Sequence, residues 1–191
     1  MADQATRGAA RLAAGIALPM ALVAGLLAFW LFGGFGGPRP AASSPRPASS
    51  PRPQATGPVT MPASSLPSHP ATVCRALLAA LPDTLRDRPR RPVSAGPGQN
   101  AAYGDPAITL ACGAGAKPSV DPVATVYPLS GVCWYAVPGP DSTAWTALDR
   151  EVTITVTVPN SYSGQGQWVI GFSDPVAAKV RPVTSVPSGC R

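Results

Sequence analysis

The sequence has little charge, and it has almost no histidine. Charged residues make up 13% of its 191 residues, against ~25% in an ordinary soluble domain. The single histidine, His69, excludes a zinc site built mainly on histidines and argues against a Ser-His-Asp triad. The four cysteines include no Cys-x-x-Cys pair, so the usual zinc and redox spacings are absent. We therefore expect no metal and no cofactor.

Basic residues are not concentrated in any part of the chain that could fold. The formal net charge is +6, but residues 37–70 hold three arginines and no acid, and residues 71–191 hold ten basic and eight acidic residues. A nucleic-acid-binding domain would carry a basic patch or stripe on its folded part. The composition therefore predicts no nucleic-acid partner.

A long charge-free stretch follows a short N-terminal tail. The apolar run Leu12–Phe35 would span roughly 36 Å as a helix, enough to cross a hydrocarbon core of ~30 Å. We predict a cytoplasmic tail over residues 1–11 and one transmembrane helix over residues 12–36. The alternative is a cleaved signal peptide, with small residues at Gly34 and Gly36. Its apolar region normally runs ~7–15 residues, which is shorter than this one.

The orientation of this membrane segment is not fixed by charge alone. Arg7 and Arg11 precede it, while Arg39, Arg46 and Arg52 follow it. Long domains translocate largely regardless of charge, and an even set of four cysteines without metal spacing suits an oxidising compartment. We therefore expect a single-pass plasma-membrane protein with its N-terminus in the cytoplasm and its C-terminal domain outside.

Residues 37–70 are rich in proline, serine and arginine, and Ser-Ser-Pro-Arg-Pro occurs twice, at 43–47 and 49–53. Such a composition cannot bury a core and favours extended polyproline II. The simplest interpretation is a disordered linker that holds the domain away from the membrane. The alternatives are a tether for an anionic polymer and a glycosylated stalk.

Residues 71–191 are long enough to fold, and we predict an extracytoplasmic α+β domain with a small, mostly antiparallel sheet and short helices near both ends. Thr72 is expected to cap a helix over Val73–Leu81, which is expected to resume for one turn at Asp83–Leu85. Ser173-Asp174-Pro175 is expected to begin a second helix. The expected strands are Ala107–Cys112, Val123–Tyr127, Val132–Val137, Glu151–Val158 and Trp168–Phe172.

The four cysteines allow three disulfide pairings. The pairing of Cys74 with Cys112 and of Cys133 with Cys190 fits their expected places on the first helix, on two strands and at the C-terminal tail. Each bridge would close a long loop, and the second would hold a tail that would otherwise fray. The expected role of both bridges is structural.

The order of features along the chain resembles a known family. The resemblance lies in five motifs: Cys74-x-x-Leu77-Leu78-x-x-Leu81-Pro82, Arg88-x-Arg90-Arg91-Pro92-Val93, Tyr103-Gly104-Asp105-Pro106-Ala107-Ile108-x-Leu110-x-Cys112-Gly113, Gly131-Val132-x-Trp134, and Arg150 before a Val-rich strand. Together with the membrane segment and the linker, they resemble the actinobacterial envelope family known as domain of unknown function 3515. The resemblance covers about residues 73–180 and implies an exported, anchored domain, without implying an activity.

Two positions depart from the family pattern. The family usually has Trp where Tyr103 stands and Asp where Cys133 stands. The loss of that acid together with the gain of Cys133 and Cys190 is what a local disulfide would require. The departure also argues that position 133 does not carry an indispensable carboxylate.

Paired carboxylates are the main candidates for catalysis. Asp105 with Glu151 or Asp149 could serve a cell-wall hydrolase, since a retaining glycosidase holds two carboxyl groups ~5.5 Å apart. The competing interpretation is that Asp105 initiates a turn before Pro106. Asp149, Arg150 and Glu151 would then form a solvated charge cluster. A Ser-Lys pair using Lys117 or Lys179 has no sequence signal that would position it.

Two groups of side chains are candidates for binding. Arg86, Arg88, Arg90 and Arg91 form a basic run that could contact phospholipid headgroups or an acidic wall polymer, or could be a solvated loop. Trp134, Tyr135, Trp145 and Trp168 could line a carbohydrate or peptide surface, or could fill a small core. The sequence favours a non-catalytic binding or scaffolding module of the cell envelope whose partner is an envelope protein or an anionic wall polymer.

Overall fold

The computed structural model describes residues 26–27, 54–121 and 123–190. The chain divides into two units, Met1–Arg52 and Pro53–Arg191, and every element below belongs to the second. The expected tail, nearly all of the expected membrane helix and residues 37–53 of the expected linker lie outside the described residues. Within the part that is described, no helix has both the length and the hydropathy needed to cross a bilayer.

The second unit is an α+β domain, as the sequence predicts. Its elements are α1 (Ser68–Ala80), β1 (Thr84–Leu85), β2 (Arg88–Arg91), β3 (Asn100–Tyr103), β4 (Ile108–Cys112), β5 (Tyr127–Leu129), β6 (Val132–Pro138), β7 (Ser142–Ala147), β8 (Ile154–Pro159), α2 (Gln165–Lys179) and a 3-10 turn (Ser188–Cys190). The strands form one eight-stranded sheet in the order β1-β2-β3-β4-β8-β7-β6-β5. Each pair of neighbouring strands is antiparallel.

Both helices pack against one face of this sheet. Cys112 of β4 is joined to Cys74 of α1, and Tyr103 of β3 contacts Phe172 of α2 with ring centroids 5.6 Å apart. Cys112 and Tyr103 lie on the same face, because Tyr103 pairs with Ile108 and side chains alternate along a strand. The core therefore lies between the two helices and this face.

The opposite face of the central strands is lined by hydroxyl groups. In β8, Ile154, Val156 and Val158 are buried, whereas Thr155 and Thr157 are half-exposed. β8 is therefore a half-buried strand with a hydroxyl-lined outer face, within the range where the sequence predicts the strand Glu151–Val158. The strand begins later than expected, at Ile154 instead of Glu151, because the backbone before it interacts with the C-terminal segment: Glu151 N donates to Arg181 O and Arg150 bridges to Pro182.

The first helix begins earlier than expected. It covers Ser68–Ala80, so Thr72 is an interior residue whose hydroxyl donates to Ser68 O at 3.0 Å and does not cap the helix. The expected extra turn at Asp83–Leu85 is wrong. Thr84–Leu85 instead form β1, which pairs with Arg88 and Pro89 across a tight turn.

The assignment of Trp168–Phe172 to a strand is wrong. These residues lie inside α2, and Pro175 is an interior residue of that helix instead of its first turn. The buried residues Trp168, Val169, Phe172 and Val176 recur with the period of a helix. A short apolar run beside Gly and Ser residues is compatible with either a strand or a helix. The spacing of four residues from Phe172 to the buried Val176 is the spacing of one helix face.

Residues 54–67, here called the leading segment, lie along the domain. Val59 forms a parallel bridge with Val93, Met61 is buried, and Met61 N donates to Ser94 Oγ at 3.0 Å. The boundary that the sequence predicts between residues 70 and 71 falls inside α1, and the residues before α1 already pack on the domain. Backbone pairing holds this proline-rich stretch in place, and composition alone does not reveal such pairing.

The expected strand Val123–Tyr127 is displaced along the chain. The structure places β5 at Tyr127–Leu129 instead, where it pairs with β6 through Leu129 and Val132. The glycine at position 131 and the positive φ of Ser130, 46°, form the tight turn between these strands. This turn sets the register between β5 and β6, so the residues just before it, Tyr127–Leu129, are the ones that pair with β6.

Candidate functional site

Arg90 and Arg91 of the basic run are structural. Arg90 Nη1 donates to Leu78 O at the end of α1, at 3.2 Å. Arg91 Nη1 donates to Gly104 O at 2.9 Å, and its Nη2 donates to Gly57 O at 2.8 Å in the leading segment. Both guanidinium groups thus satisfy backbone carbonyls of neighbouring segments, and neither has the freedom expected of a binding residue.

Arg86 and Arg88 instead lie on aromatic rings. The Arg86 Cζ atom is 5.0 Å from the centroid of the Trp168 ring, and the Arg88 Cζ atom is 5.8 Å from that of Tyr162. The two rings contact each other edge to face at 4.8 Å. Such contacts combine attraction between a cation and a ring with stacking of the planar guanidinium. We call these four residues the arginine–aromatic cluster.

The rings of the cluster are fixed by hydrogen bonds to the backbone. Tyr162 Oη donates to Pro106 O at 2.7 Å, and Trp168 Nε1 donates to Ser163 O at 3.2 Å. Both rings are largely buried, so they serve as platforms. The solvent-facing part of the cluster is therefore formed by the two guanidinium groups.

The charge of the cluster is only partly balanced. Arg88 Nη2 lies 3.4 Å from Asp87 Oδ2, whereas Arg86 forms no salt bridge within residues 54–121 and 123–190. Burial raises the pKa of Tyr162, and the nearby Arg88 opposes that rise, so its phenol stays a neutral donor. Arg86 is therefore the cation that remains available to a ligand.

The backbone at Arg86 is unusual. Arg86 is the first residue of the two-residue turn between β1 and β2, and its φ is +56°. This left-handed conformation costs a non-glycine residue roughly 1–2 kcal/mol, and glycine adopts it without that cost. A side chain kept at such a position is a candidate for function.

The candidate carboxylates Asp105 and Glu151 do not form a close pair. Asp105 lies in the turn between β3 and β4, where its Oδ2 accepts from Ala55 N at 3.2 Å. Glu151 lies three residues before Ile154, which pairs with Cys112 at the other end of β4. The five residues of β4 separate the two ends by roughly 13 Å. Asp149 lies at the Glu151 end, so neither combination has the ~5.5 Å spacing of a retaining glycosidase.

The partner of Glu151 is His69, which lies in the segment that the sequence predicts to be a disordered linker. His69 lies in the first turn of α1, and its Nε2 is 3.4 Å from Glu151 Oε2. The contact is between an exposed imidazole and a half-buried carboxylate, so it joins the start of α1 to the segment before β8. It provides no third group of the kind a catalytic triad needs.

Arg150 is buried, contrary to the solvated charge cluster that the sequence suggests. It is 4% exposed, so Asp149, Arg150 and Glu151 are not a solvated cluster. Its Nη1 donates to Val180 O at 3.3 Å, its Nη2 donates to Gly131 O, and its Nε lies 3.5 Å from Asp149 Oδ1. Arg150 thus links the end of α2, the β5–β6 turn and its own segment.

The three tryptophans of the folded domain belong to the core. Trp134, Trp145 and Trp168 are all buried, and Trp134 Nε1 donates to the buried Ser173 Oγ at 3.0 Å. Tyr135 is half-buried on the outer face, where it pairs with Thr146. The four aromatic residues therefore do not form a common binding surface, and only Trp168 reaches a candidate site, as the platform under Arg86.

Tyr103, at the position that departs from the family pattern, provides a pH-dependent test of the core. It is fully buried and its Oη donates to Pro82 O at 2.7 Å. Burial raises its pKa to about 12, with Arg90 opposing that rise. The Tyr103 hydroxyl loses its proton near pH 10 in the unfolded chain but keeps it up to about pH 12 in the folded chain. The contribution of Tyr103 to the free energy of unfolding therefore falls as the pH rises from 10 to 12.

We therefore expect the free energy of unfolding of the wild type to fall by about 2 to 3 kcal/mol more than that of Tyr103→Phe between pH 9.5 and 12. Urea unfolding of both proteins across this range measures the difference. Tyr135→Phe, on the outer face, is the matched control. Parallel pH profiles for the wild type and Tyr103→Phe would contradict the assignment.

The structure joins Cys74 to Cys112 and Cys133 to Cys190, the pairing that the sequence favours. The Cα–Cα distances are 5.6 and 5.4 Å, within the range of ordinary disulfides. The first bridge connects α1 to the middle of the sheet, and the second connects β6 to the 3-10 turn. Across the described residues, no group of three or more His, Cys, Asp or Glu side chains is placed to hold a metal ion.

Comparison with known proteins identifies the family. The family model described as "Protein of unknown function (DUF3515)" matches residues 38–184, which is most of the chain. The chain therefore belongs to the DUF3515 family. No curated protein and no solved structure matches significantly.

Proposed function

We propose that this DUF3515 protein is a single-pass, membrane-anchored domain outside the plasma membrane that binds an anionic polymer of the cell envelope and catalyses no reaction. The charge-free run Leu12–Phe35 and the proline-rich residues that follow it support the anchor and the spacer. Two disulfides in the folded domain support an oxidising compartment. The arginine–aromatic cluster supports the binding role.

Arg86 is the observation that carries the proposal. Its backbone conformation favours glycine, yet the position holds an arginine whose Cζ lies over the Trp168 ring, 5.0 Å from its centroid. Arg86 is exposed and its guanidinium forms no salt bridge within residues 54–121 and 123–190, so its N–H groups are available to a ligand. These donors match the two oxygens of a carboxylate or phosphate.

Arg88 supports Arg86 in this arrangement. Its charge is shared with Asp87 and its side chain is 28% exposed, so it is less available than Arg86. It packs on Tyr162, next to the ring that carries Arg86. We assign Arg86 to direct contact with the polymer and Arg88 to positioning of the cluster.

Arg86→Gly separates binding from stability. The substitution removes the cation and relieves the left-handed backbone, so we expect the free energy of unfolding to stay unchanged or rise by up to about 1 kcal/mol. We expect the affinity for an anionic polymer to fall roughly tenfold, the scale of one charge-assisted hydrogen-bond pair. Biolayer interferometry of the full chain in a neutral detergent, against immobilised poly(glycerol phosphate) and poly-L-glutamate, measures the affinity.

Arg181→Gln is the matched control, because Arg181 is an exposed arginine outside the cluster. It should leave the affinity within about twofold, and neutral dextran should not bind. Binding should weaken between 50 and 300 mM salt, since exposed charges are screened. Equal losses for Arg86→Gly and Arg181→Gln would indicate attraction to net charge alone, and would refute the assigned site.

The proposed topology has its own test. A cysteine replacing Ser50 should react with a membrane-impermeant thiol reagent in intact cells, whereas a cysteine replacing Ala9 should react only after lysis. If the cysteine at position 50 is labelled only after lysis, the domain does not lie outside the membrane.

A further inference from the structure

A cavity on the domain lies apart from the arginine–aromatic cluster. Its volume is about 430 Å³, and it lies between the segment around Lys117 and the C-terminal residues 185–188. This volume is within the ~300–1,000 Å³ of small-molecule sites. We propose that the cavity binds a small ligand with a carboxylate head on an aliphatic body.

The walls of the cavity have the character of an amphipathic site. Val120, Leu148 and Val186 provide apolar surface, against which an aliphatic body would pack. The polar groups are the Lys117 ammonium and the hydroxyl groups of Ser185 and Ser188. Lys117 can only donate hydrogen bonds and the two hydroxyl groups can donate as well, so a polar end that accepts hydrogen bonds matches all three side chains.

Lys117 is held in place at the wall. Its Nζ donates to Arg150 O, which uses one of the three donors of an ammonium. Burial lowers the pKa of Lys117, and the nearby Asp149 opposes that change. Within the described ranges no carboxylate lies in salt-bridge distance of Lys117, and Asp149 faces Arg150 instead. A ligand carboxylate would therefore supply the missing counter-charge.

The same residues do not form a Ser-Lys catalytic pair. Such a pair requires a serine hydroxyl to donate to a neutral lysine amine. In the described part of the chain, the one hydrogen bond of Nζ goes to Arg150 O, and none joins Lys117 to Ser185 or Ser188. The arrangement thus favours binding over nucleophilic catalysis.

The C-terminal wall is kept in place by covalent and backbone links. Cys190, two residues after Ser188, is joined to Cys133 of β6. Val183 N donates to Asp149 O at 2.9 Å, just before the lining residues. Because both ends of residues 184–189 are attached to the sheet side of the domain, the cavity exists before a ligand arrives, which lowers the entropy cost of binding.

The carboxylate could belong to a free acid or to the C-terminus of a peptide. The two sources share the chemistry that Lys117 recognises, and matched probes distinguish them. We would titrate the full chain in a neutral detergent with hexanoate, with hexanol, and with a short peptide ending in leucine, either free or amidated. Chemical shifts of the Leu148 and Val186 methyl groups report occupancy.

Hexanoate or the free-ended peptide should shift these methyl signals, and hexanol or the amidated peptide should bind at least tenfold more weakly. Preference for hexanoate identifies a free acid, and preference for the peptide identifies a C-terminus. Lys117→Met should raise the Kd roughly tenfold, whereas Lys179→Met, at an exposed lysine on α2, should not change it.

Val186→Trp provides an independent variant, because it fills the cavity without altering Lys117. It should abolish the shifts at Leu148 even if Lys117→Met proves unstable. No shift with any probe at millimolar concentration would overturn the proposal. Equal binding of hexanoate and hexanol, or binding that survives Val186→Trp, would also overturn it.

Discussion

Replacing Arg150 with methionine is expected to lower the free energy of unfolding by roughly 3–5 kcal/mol, the usual effect of removing one member of a buried charge pair. Methionine preserves much of the side-chain volume, so the loss comes mainly from polar groups. The carbonyl groups of Val180 and Gly131 lose their donor. Asp149, whose side chain is only 16% exposed, loses its opposite charge.

Urea unfolding of the full chain in a neutral detergent measures this effect. Arg181→Met, at an exposed arginine in the neighbouring segment, is the control and should change stability by less than about 0.5 kcal/mol. Arg150→Lys should recover only part of the loss, because an ammonium cannot reproduce the fork of the guanidinium. A loss below about 1 kcal/mol for Arg150→Met would show that water replaces the arginine at these carbonyls.

Removing the bridge between Cys74 and Cys112 is expected to have the second largest effect. The double variant Cys74→Ala/Cys112→Ala should lose about 2–5 kcal/mol, the range for native disulfides of small domains. The bridge closes a loop across a sequence separation of 38 residues, and both cysteines are fully buried. Losing the disulfide raises the conformational entropy of the unfolded chain, whereas the packed native site gains little entropy. The unfolded state is therefore favoured.

The variant Cys133→Ala/Cys190→Ala provides the matched comparison. Its loop is longer, with a separation of 57 residues, so the loop-entropy model alone predicts an equal or larger loss. Cys190, however, is on a half-exposed 3-10 turn near the C-terminus, and the released tail gains freedom in the native state too. We expect a loss at least about 1 kcal/mol smaller than for the first bridge. Equal losses in urea unfolding would contradict this reasoning.

The extent to which the sequence determines the fold differs between its elements. β8 is predicted well because Val and Thr alternate over a full strand, and the alternation reports directly which face is buried. β7, Ser142–Ala147, leaves no clear signal, because Trp145 is its only large apolar residue. β2 contains Pro89 and three arginines, a composition typical of a loop. Its pairing with β1 and β3 is not apparent from its own composition.

The candidate site illustrates a different limit. The sequence identifies Arg86, Arg88, Arg90 and Arg91 as one basic run, but alternation along β2 and the turn before it send these side chains to different partners. Arg90 and Arg91 bind carbonyl groups, and Arg86 stacks on Trp168, which is distant in sequence. Arg150 shows the same limit, since local sequence next to Asp149 and Glu151 does not reveal burial.

The position of Cys74 has a mechanical consequence for a chain that is held from its N-terminal side. Tension applied at Gln54 would first load the contacts of the leading segment, among them the hydrogen bond from Ala55 N to Asp105, the hydrogen bond from Arg91 to Gly57 O and the β-bridge between Val59 and Val93. It would then load the first turns of α1. At Cys74 the disulfide to Cys112 passes the load to β4, which lies inside the sheet between β3 and β8. The disulfide therefore limits how far pulling can unravel the chain. Tension can detach the leading segment and the first turns of α1, but unfolding beyond Cys74 requires shearing the centre of the sheet.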